Sequence, residues 1–477
     1  MLGKGFWFET KNGNRYYYDD LTGYVSPETK SCGKKRAGSA GMFAVTSCAV
    51  TDTWHKEQPS VEGSCVNLIE QYLKTEGYKQ LVLIITEDCN LRCRYCVYSG
   101  NYAYERVHRQ LSMTWDVARE AIEWYIRKCL EVKAANPRKI PAVSFYGGEP
   151  LMHSSMIRRI ITHARKLYSG EIVFNLTTNG TMLTENIVDF LVNNGIALTV
   201  TLNGPQSEHD RLRVFPDGSG TFHVVLKNLL MVREKYPKYY MEKCNLIVDY
   251  DWGTDLGAVA GFFEEQTGIL KVGRVGMISP SFTKWYEQYS SDKKRAFVVL
   301  LEDLKDAYIA DILKGKNVSE FLAHLFAEDY ENIIDRPYGN VVRSSLLPYT
   351  GACVPGEKIA VDPTGGLHCC EKMNYYFPIG NIALGLDLER IIGVVETYRR
   401  ELYPACVDCS ITRLCMICYA VVAGAGKFEK SPQDLCHVLR SGIEEKFAEL
   451  WSLFEANAKE SAFLRVASKR HSDFCVQ

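Results

Sequence analysis

Between residues 80 and 280, short apolar runs of strand length alternate with longer amphipathic stretches, and nothing else in the chain constrains its fold as strongly. Strands are expected at 81–86, 142–146, 171–176, 196–202, 242–249 and 271–278, with helices at 113–134, 155–168, 184–194, 222–235 and 254–266. Parallel strands need long crossover connections, and helices supply them, so repeated βα units predict a parallel sheet covered by helices. Six units fit a partial, open (β/α)6 barrel with functional loops at the strand C-termini. Periodicity alone leaves a doubly wound sheet open.

The first strand runs into Cys89-Asn90-Leu91-Arg92-Cys93-Arg94-Tyr95-Cys96. Three cysteines on a loop at a strand's C-terminal end favour the barrel. Such a loop can wrap an inorganic core, and three thiolates leave one iron of a four-iron cluster without a protein ligand. A closed zinc site would want a fourth ligand. Later strand ends carry Gly147-Gly148-Glu149-Pro150, Thr177-Thr178-Asn179-Gly180-Thr181 and Thr201-Leu202-Asn203-Gly204-Pro205, followed by His209-Asp210-Arg211-Leu212-Arg213. Each alone is a turn. At successive strand ends around one mouth they form a signal. Paired glycines permit close backbone approach, and Glu149 offers an acceptor for an ammonium group.

The 56 basic and 57 acidic side chains give a net charge of −1, which supports neither a nucleic-acid nor an anionic-membrane partner. The sequence starts without a signal-peptide pattern and contains no apolar run long enough to span a bilayer, so a cytoplasmic location is expected. Disulfides are disfavoured there. Seventeen cysteines therefore need another account, and eleven of them fall at 89–96 and 353–436. Cys129 lies on an apolar helix stripe and is expected in the core. Cys32, Cys48, Cys65, Cys244 and Cys475 have no partner at ligand spacing.

The second group comprises Cys353, Cys369-Cys370-Glu371, Cys406-x-x-Cys409, Cys415-x-x-Cys418 and Cys436. Its two C-x-x-C pairs lie closer together than those of a zinc ribbon. Residues 1–79 differ in character. Short strands around Phe6–Glu9, Arg15–Tyr18 and Tyr24–Ser26 precede a Gly/Ser-rich stretch (33–41) and an amphipathic helix near 61–75. This α+β segment suits either capture of an extended peptide by strand addition or a hairpin that lids the main domain. Residues 281–345 are expected to form a helical bridge.

Residues 80–280 resemble a radical S-adenosylmethionine (SAM) domain, and the region 346–450 resembles the SPASM extension of radical SAM maturases, leaving 451–477 as a C-terminal helix and tail. The resemblance implies that Cys89, Cys93 and Cys96 hold a [4Fe–4S] cluster whose open iron is chelated by SAM. Gly147, Gly148 and Glu149 would then receive the methionine ammonium, Tyr95 would flank the adenine, and Asn179, Thr201 and Arg213 would contact SAM or its surroundings. Asn203 departs from the family's commoner aspartate. Two auxiliary [4Fe–4S] clusters are implied, one on Cys353, Cys370 and Cys418 and the other on Cys406, Cys409, Cys415 and Cys436. Cys369 is an alternative further ligand; otherwise one iron near the substrate is left open. The Cys415–Cys418 gap is one residue shorter than usual. Glu371 matches the proton acceptor of related sulfatase maturases; the other reading is an exposed carboxylate on a turn.

The resulting expectation is an oxidoreductase that uses a 5′-deoxyadenosyl radical to modify a ribosomally made precursor peptide with a leader. The product would be a thioether crosslink, with electrons from a ferredoxin or flavodoxin. Carbon–carbon or carbon–oxygen crosslinking and anaerobic sulfatase maturation are the rival activities. A non-catalytic iron–sulfur carrier is the rival class.

Overall fold

A computed structural model describes residues 4–28, 64–104, 106–336, 338, 351–429 and 435–456. The Gly/Ser-rich stretch, Cys32, Cys48, Cys475 and the tail beyond 456 lie outside the described residues, as do the side chain of Cys65 and the start of the helix expected near 61.

Three N-terminal strands, β1 (Gly5–Glu9), β2 (Arg15–Asp19) and β3 (Val25–Pro27), form an antiparallel sheet in chain order. Six parallel strands follow: β4 (Gln80–Thr86), β5 (Ala142–Gly147), β6 (Val173–Thr178), β7 (Ala197–Thr201), β8 (Cys244–Tyr250) and β9 (Val272–Met277). They neighbour one another in sequence order, which rules out the doubly wound alternative, whose order reverses at a switch point. Helices Trp115–Ala135, Ser154–Leu167, Glu185–Asn193, Phe222–Lys235 and Leu256–Glu265 connect them. Their apolar faces and the strand residues facing them make one continuous core, in which Cys129 and Cys244 are buried. Short helices Gln206–Leu212 and Pro237–Lys243 went unanticipated because seven residues are too few for a 3.6-residue period to show.

The C-terminal region does not build a separate sheet. Strand β10 (Lys358–Val361) pairs parallel with β4, Lys358 beside Gln80, and β11 (Gly366–His368), β12 (Gly380–Asn381) and β13 (Gly385–Leu386) continue the sheet antiparallel. The whole is a ten-stranded mixed sheet among the described residues. The boundary expected at 450 falls inside the helix Leu435–Glu455, whose buried Leu450 and Leu453 straddle it.

The segment 1–79 is not one unit either. Helix Ser64–Glu76 packs Ile69 and Leu73 into the main core. The three-stranded sheet belongs to a second core, where Phe6, Phe8 and Tyr18 meet Phe447 and Leu450 of the C-terminal helix. Tyr308 and Phe326, from bridge helices Ser291–Leu313 and Glu320–Ile334, and Ile411 and Leu414, from the cysteine array, complete that core. Phe6 meets Phe447 edge-on at 5.2 Å, the arrangement aromatic quadrupoles favour.

Candidate active site

The loop after β4 is held open at the mouth of the sheet by backbone contacts with the loop after β5. Gly148 N–H donates to the Thr86 carbonyl at 2.7 Å, and Glu149 N–H to that of Asp88 at 3.0 Å. A Cβ on Gly148 would stand 1.9 Å from the Asp88 carbonyl oxygen, and Gly147 has φ +138°, so neither position admits a side chain. The close approach these glycines permit is thus to the cysteine loop's own backbone. Glu149 is fully buried. Its carboxylate accepts from Leu151 N–H (3.0 Å), the Thr178 hydroxyl (2.7 Å) and Asn179 N–H (2.8 Å), while burial pushes its pKa up. It therefore ties the β5 and β6 loops together, with three of about four acceptor positions occupied.

Asn179 donates to Asn90 Oδ1 at 2.8 Å and lies 3.7 Å from Cys89 Sγ. The thiols of Cys89 and Cys96 receive backbone N–H groups from Leu91 (3.3 Å) and Tyr98 (3.5 Å). Burial pushes both up to about 12, and each is raised further by neighbouring thiols; Cys93 is raised by burial as well. Opposite them, Arg213 is buried, donates to the Tyr95 hydroxyl at 2.8 Å, and favours the thiolate of Cys93. Tyr95 donates to Asp249 at 2.8 Å, and Asp249 N–H donates to Asn203 Oδ1 at 3.0 Å. Buried His209 accepts from Asn203 N–H (3.2 Å) and shares a hydrogen bond with the Thr221 hydroxyl (2.9 Å), which donates to the Arg213 carbonyl. Thr201 ends β7, buried, on the same rim.

Asp249 escaped the sequence reading although it sits near the C-terminal end of β8, the kind of position that singled out Asn179. Asn203 also hydrogen-bonds the Tyr95 hydroxyl through its side chain, which ties it into the same rim.

Among the described residues no three Cys, His, Asp or Glu side chains converge tightly enough for a single metal ion. Yet the three loop thiols act electrostatically on one another and on Arg213. Three thiols on one loop, two of them accepting backbone N–H groups, beside the buried Arg213, are a donor set that fits an anionic thiolate-ligated centre.

The second array divides in two. Cys406, Cys409, Cys415 and Cys436 line one cavity whose other walls include Leu402, Leu439 and Thr412. Burial pushes Cys415 to about 12, with the other three thiols adding to the rise. Cys370 lies electrostatically close to Cys418, and Cys369, only 3% exposed, to both Cys370 and Cys353. The two neighbours sit just past β11, where Met373 N–H returns to the Cys370 carbonyl at 3.3 Å.

Glu371 is buried in that turn, so the exposed-carboxylate reading is corrected: packing encloses it. Its oxygens lie 3.0 and 2.9 Å from Lys358 Nζ, and Arg106 donates to its carbonyl at 2.6 Å. Burial opposes its charge, but Lys358 and Lys372 prevail and hold its pKa below the usual carboxylate value. Tyr146, near the end of β5, is raised by burial and then by the charges of both Glu371 and Cys96. Arg106 links the two segments. Its guanidinium lies 5.0 Å from the ring of Tyr98, whose N–H donates to Cys96 Sγ, and it donates to the Glu371 carbonyl. The first cysteine loop and the Cys369-Cys370-Glu371 turn are therefore neighbours. Tyr146, Arg106 and Lys358 carried no sequence signal: Lys358 meets Glu371 through the β10–β11 hairpin, and Tyr146 and Arg106 meet that turn only when β10 pairs with β4.

Comparison with known proteins agrees with this geometry. Residues 83–248 match the Radical SAM superfamily. The radical SAM cyclopropyl synthase TigE of Paramaledivibacter caminithermalis is 23% identical over 354 residues, covering 71% of this chain and 67% of that protein. The serine-type anaerobic sulfatase-maturating enzyme of Bacteroides thetaiotaomicron is 28% identical over 311 residues, 62% and 69% of the two chains. The solved structure "native anSMEcpe with bound AdoMet" superposes with a TM-score of 0.60 at 19% identity, covering 79% of this chain and 99% of that one.

An α/β sheet with three thiols at its first strand end and a matching sequence model over residues 83–248 define a domain of the Radical SAM superfamily, and the chain carries that domain. Its relatives include anaerobic sulfatase-maturating enzymes and a cyclopropyl synthase. The family implies a [4Fe–4S] cluster and SAM, and the loop at Cys89, Cys93 and Cys96 fits that demand. No helix of the described residues is long and apolar enough to cross a membrane.

Proposed function

We propose that this enzyme modifies a ribosomally synthesised precursor peptide, joining a cysteine sulfur to a carbon in a thioether. The observation that supports this most is the contact made by Arg106, which packs on Tyr98 beside Cys96 and donates to the Glu371 carbonyl, setting the first cysteine loop next to the Glu371 turn. Iron–sulfur centres on the cysteine arrays, with SAM, would supply the one-electron chemistry: hydrogen-atom abstraction at the first loop and disposal of the surplus electron at the C-terminal array. Cys353, Cys370 and Cys418, with Cys369 beside them, are the proposed ligands of one auxiliary centre, and the four-cysteine cavity is the proposed seat of the other. A ferredoxin or flavodoxin is the proposed electron donor, in a cytoplasmic setting.

The protein's own groups divide the remaining work. Arg213, Tyr95, Asp249 and Asn203 form a preorganised polar rim against which SAM would be oriented. Asn179 braces Cys89 from the other side. Glu371, kept ionised by Lys358, is the proposed acceptor of the substrate thiol proton. Overall the peptide loses two hydrogens, one as an atom from carbon and one as a proton from sulfur. The leader is proposed to add as a strand at the edge of β3, near the sheet face that presents Trp7.

Anaerobic incubation with SAM, reductant and the product of any short, cysteine-containing reading frame found beside this gene tests the reading. A product lighter by two hydrogens, with a blocked cysteine, is the expected mass spectrum. Formylglycine on a sulfatase peptide instead would establish the second reading, which the sulfatase-maturating relatives favour.

A further inference from the structure

The N-terminal sheet and the C-terminal cysteine array meet at one carboxylate. Asp20, 2% exposed, follows β2. Its Oδ2 accepts from Thr412 N–H at 2.9 Å and from the Thr412 hydroxyl, while Oδ1 accepts from Arg413 N–H at 3.1 Å and the Tyr18 hydroxyl at 3.0 Å. Arg413 reciprocates, donating from Nε to the Asp20 carbonyl at 2.5 Å and from Nη2 to the Leu21 carbonyl. Thr412 and Arg413 lie between Cys409 and Cys415, and Thr412 walls the four-cysteine cavity. An irregular buried loop has no ladder to satisfy its N–H groups, and a charged acceptor from outside supplies what the loop lacks.

We infer that Asp20 is a positioning residue for a polynuclear iron–sulfur centre at Cys406, Cys409, Cys415 and Cys436, holding the Cys409–Cys415 loop in its ligating shape from the N-terminal sheet. This rests on the proposed reading of that cavity as a cluster site. It makes the N-terminal sheet part of the centre's scaffold, distinct from any role in binding a leader.

The test compares anaerobically reconstituted full-length wild type, Asp20→Asn and Tyr18→Phe. Asparagine keeps the shape but turns an NH2 donor toward N–H groups that need an acceptor. Tyr18→Phe removes a donor to the same carboxylate while leaving the Thr412 and Arg413 donors in place. Asp20→Asn is expected to lose about four irons per chain and one reduced-cluster EPR signal, with peptide-independent SAM cleavage retained and Tyr18→Phe at the wild-type count. Wild-type iron and spectra in Asp20→Asn overturn the inference, and so does equal loss in Tyr18→Phe, which would trace the effect to a loosened sheet. A wild type with no iron beyond the first loop overturns the cluster reading and this inference together. The milder Thr412→Val should speed loss of that site's iron to a chelator; an unchanged rate overturns the inference even if Asp20→Asn fails to fold.

Discussion

Arg213 donates a 2.8 Å hydrogen bond to the hydroxyl of Tyr95, the residue directly before Cys96. A buried cation is thereby held against the three-cysteine loop, paired through Tyr95 with Asp249. Removing one member of a buried charge network strands the others, at about 3–5 kcal/mol. Arg213→Met is expected to lower the unfolding midpoint and weaken iron retention at the first loop, measured by thermal melts and by iron analysis of a variant lacking the C-terminal cysteines.

Cys93→Ala should end 5′-deoxyadenosine formation. Iron in the reconstituted chain should fall from about twelve to about eight per molecule, the difference of one four-iron cluster. Retained SAM cleavage would overturn the assignment of the first loop.

Gly148→Ala places a methyl group 1.9 Å from the Asp88 carbonyl oxygen if nothing moves. The β5 loop must then withdraw from the cysteine loop and carry Glu149 with it. The expected result is loss of SAM cleavage with the rest of the fold intact, read by deoxyadenosine assay beside circular dichroism. Wild-type turnover would show that the two loops need not touch.

Glu371→Gln keeps the volume and removes the proton acceptor. Peptide modification is expected to drop about 100-fold or more, whereas SAM cleavage without peptide should persist. If both fell equally, Glu371 would be supporting the fold of its turn and not the chemistry.

Acid should release the N-terminal sheet. Glu455 accepts from Thr10, Asn12, Asn14 and Tyr16. Burial opposes its charge, but these hydrogen bonds hold its pKa below the usual glutamate value. A depressed carboxylate contributes stability that is present above its unfolded pKa of about 4.3 and is lost as pH falls through the folded one. Glu455→Gln should therefore flatten the fall in stability below about pH 4.3, measured by denaturant titration across pH. An unchanged slope would remove Glu455 from the acid response.

The six βα units and the three-cysteine loop could be read directly from the chain, because strand and helix periods and an eight-residue cysteine spacing are local properties. The observed strands lie within two residues of their expected positions; 171–176 became Val173–Thr178. Glu149 also stood out locally, but its burden of three donors did not, since two of them come from the next strand's end.

What pairs distant segments was hidden. Nothing in Asp20 marks it as the partner of a loop 392 residues away, and the Cys369-Cys370-Glu371 turn gives no sign of the sheet it joins until β10 aligns with β4. Residues 1–79 looked like one segment because they are contiguous. Burial split them, sending Ile69 and Leu73 to the main core and Phe6 and Phe8 to the C-terminal helix. Motif spacing encodes the chemistry that a single loop can hold. Which loops become neighbours, and which carboxylate braces a distant turn, depends on sheet order and on where buried donors find acceptors, and those are settled only when the chain has packed.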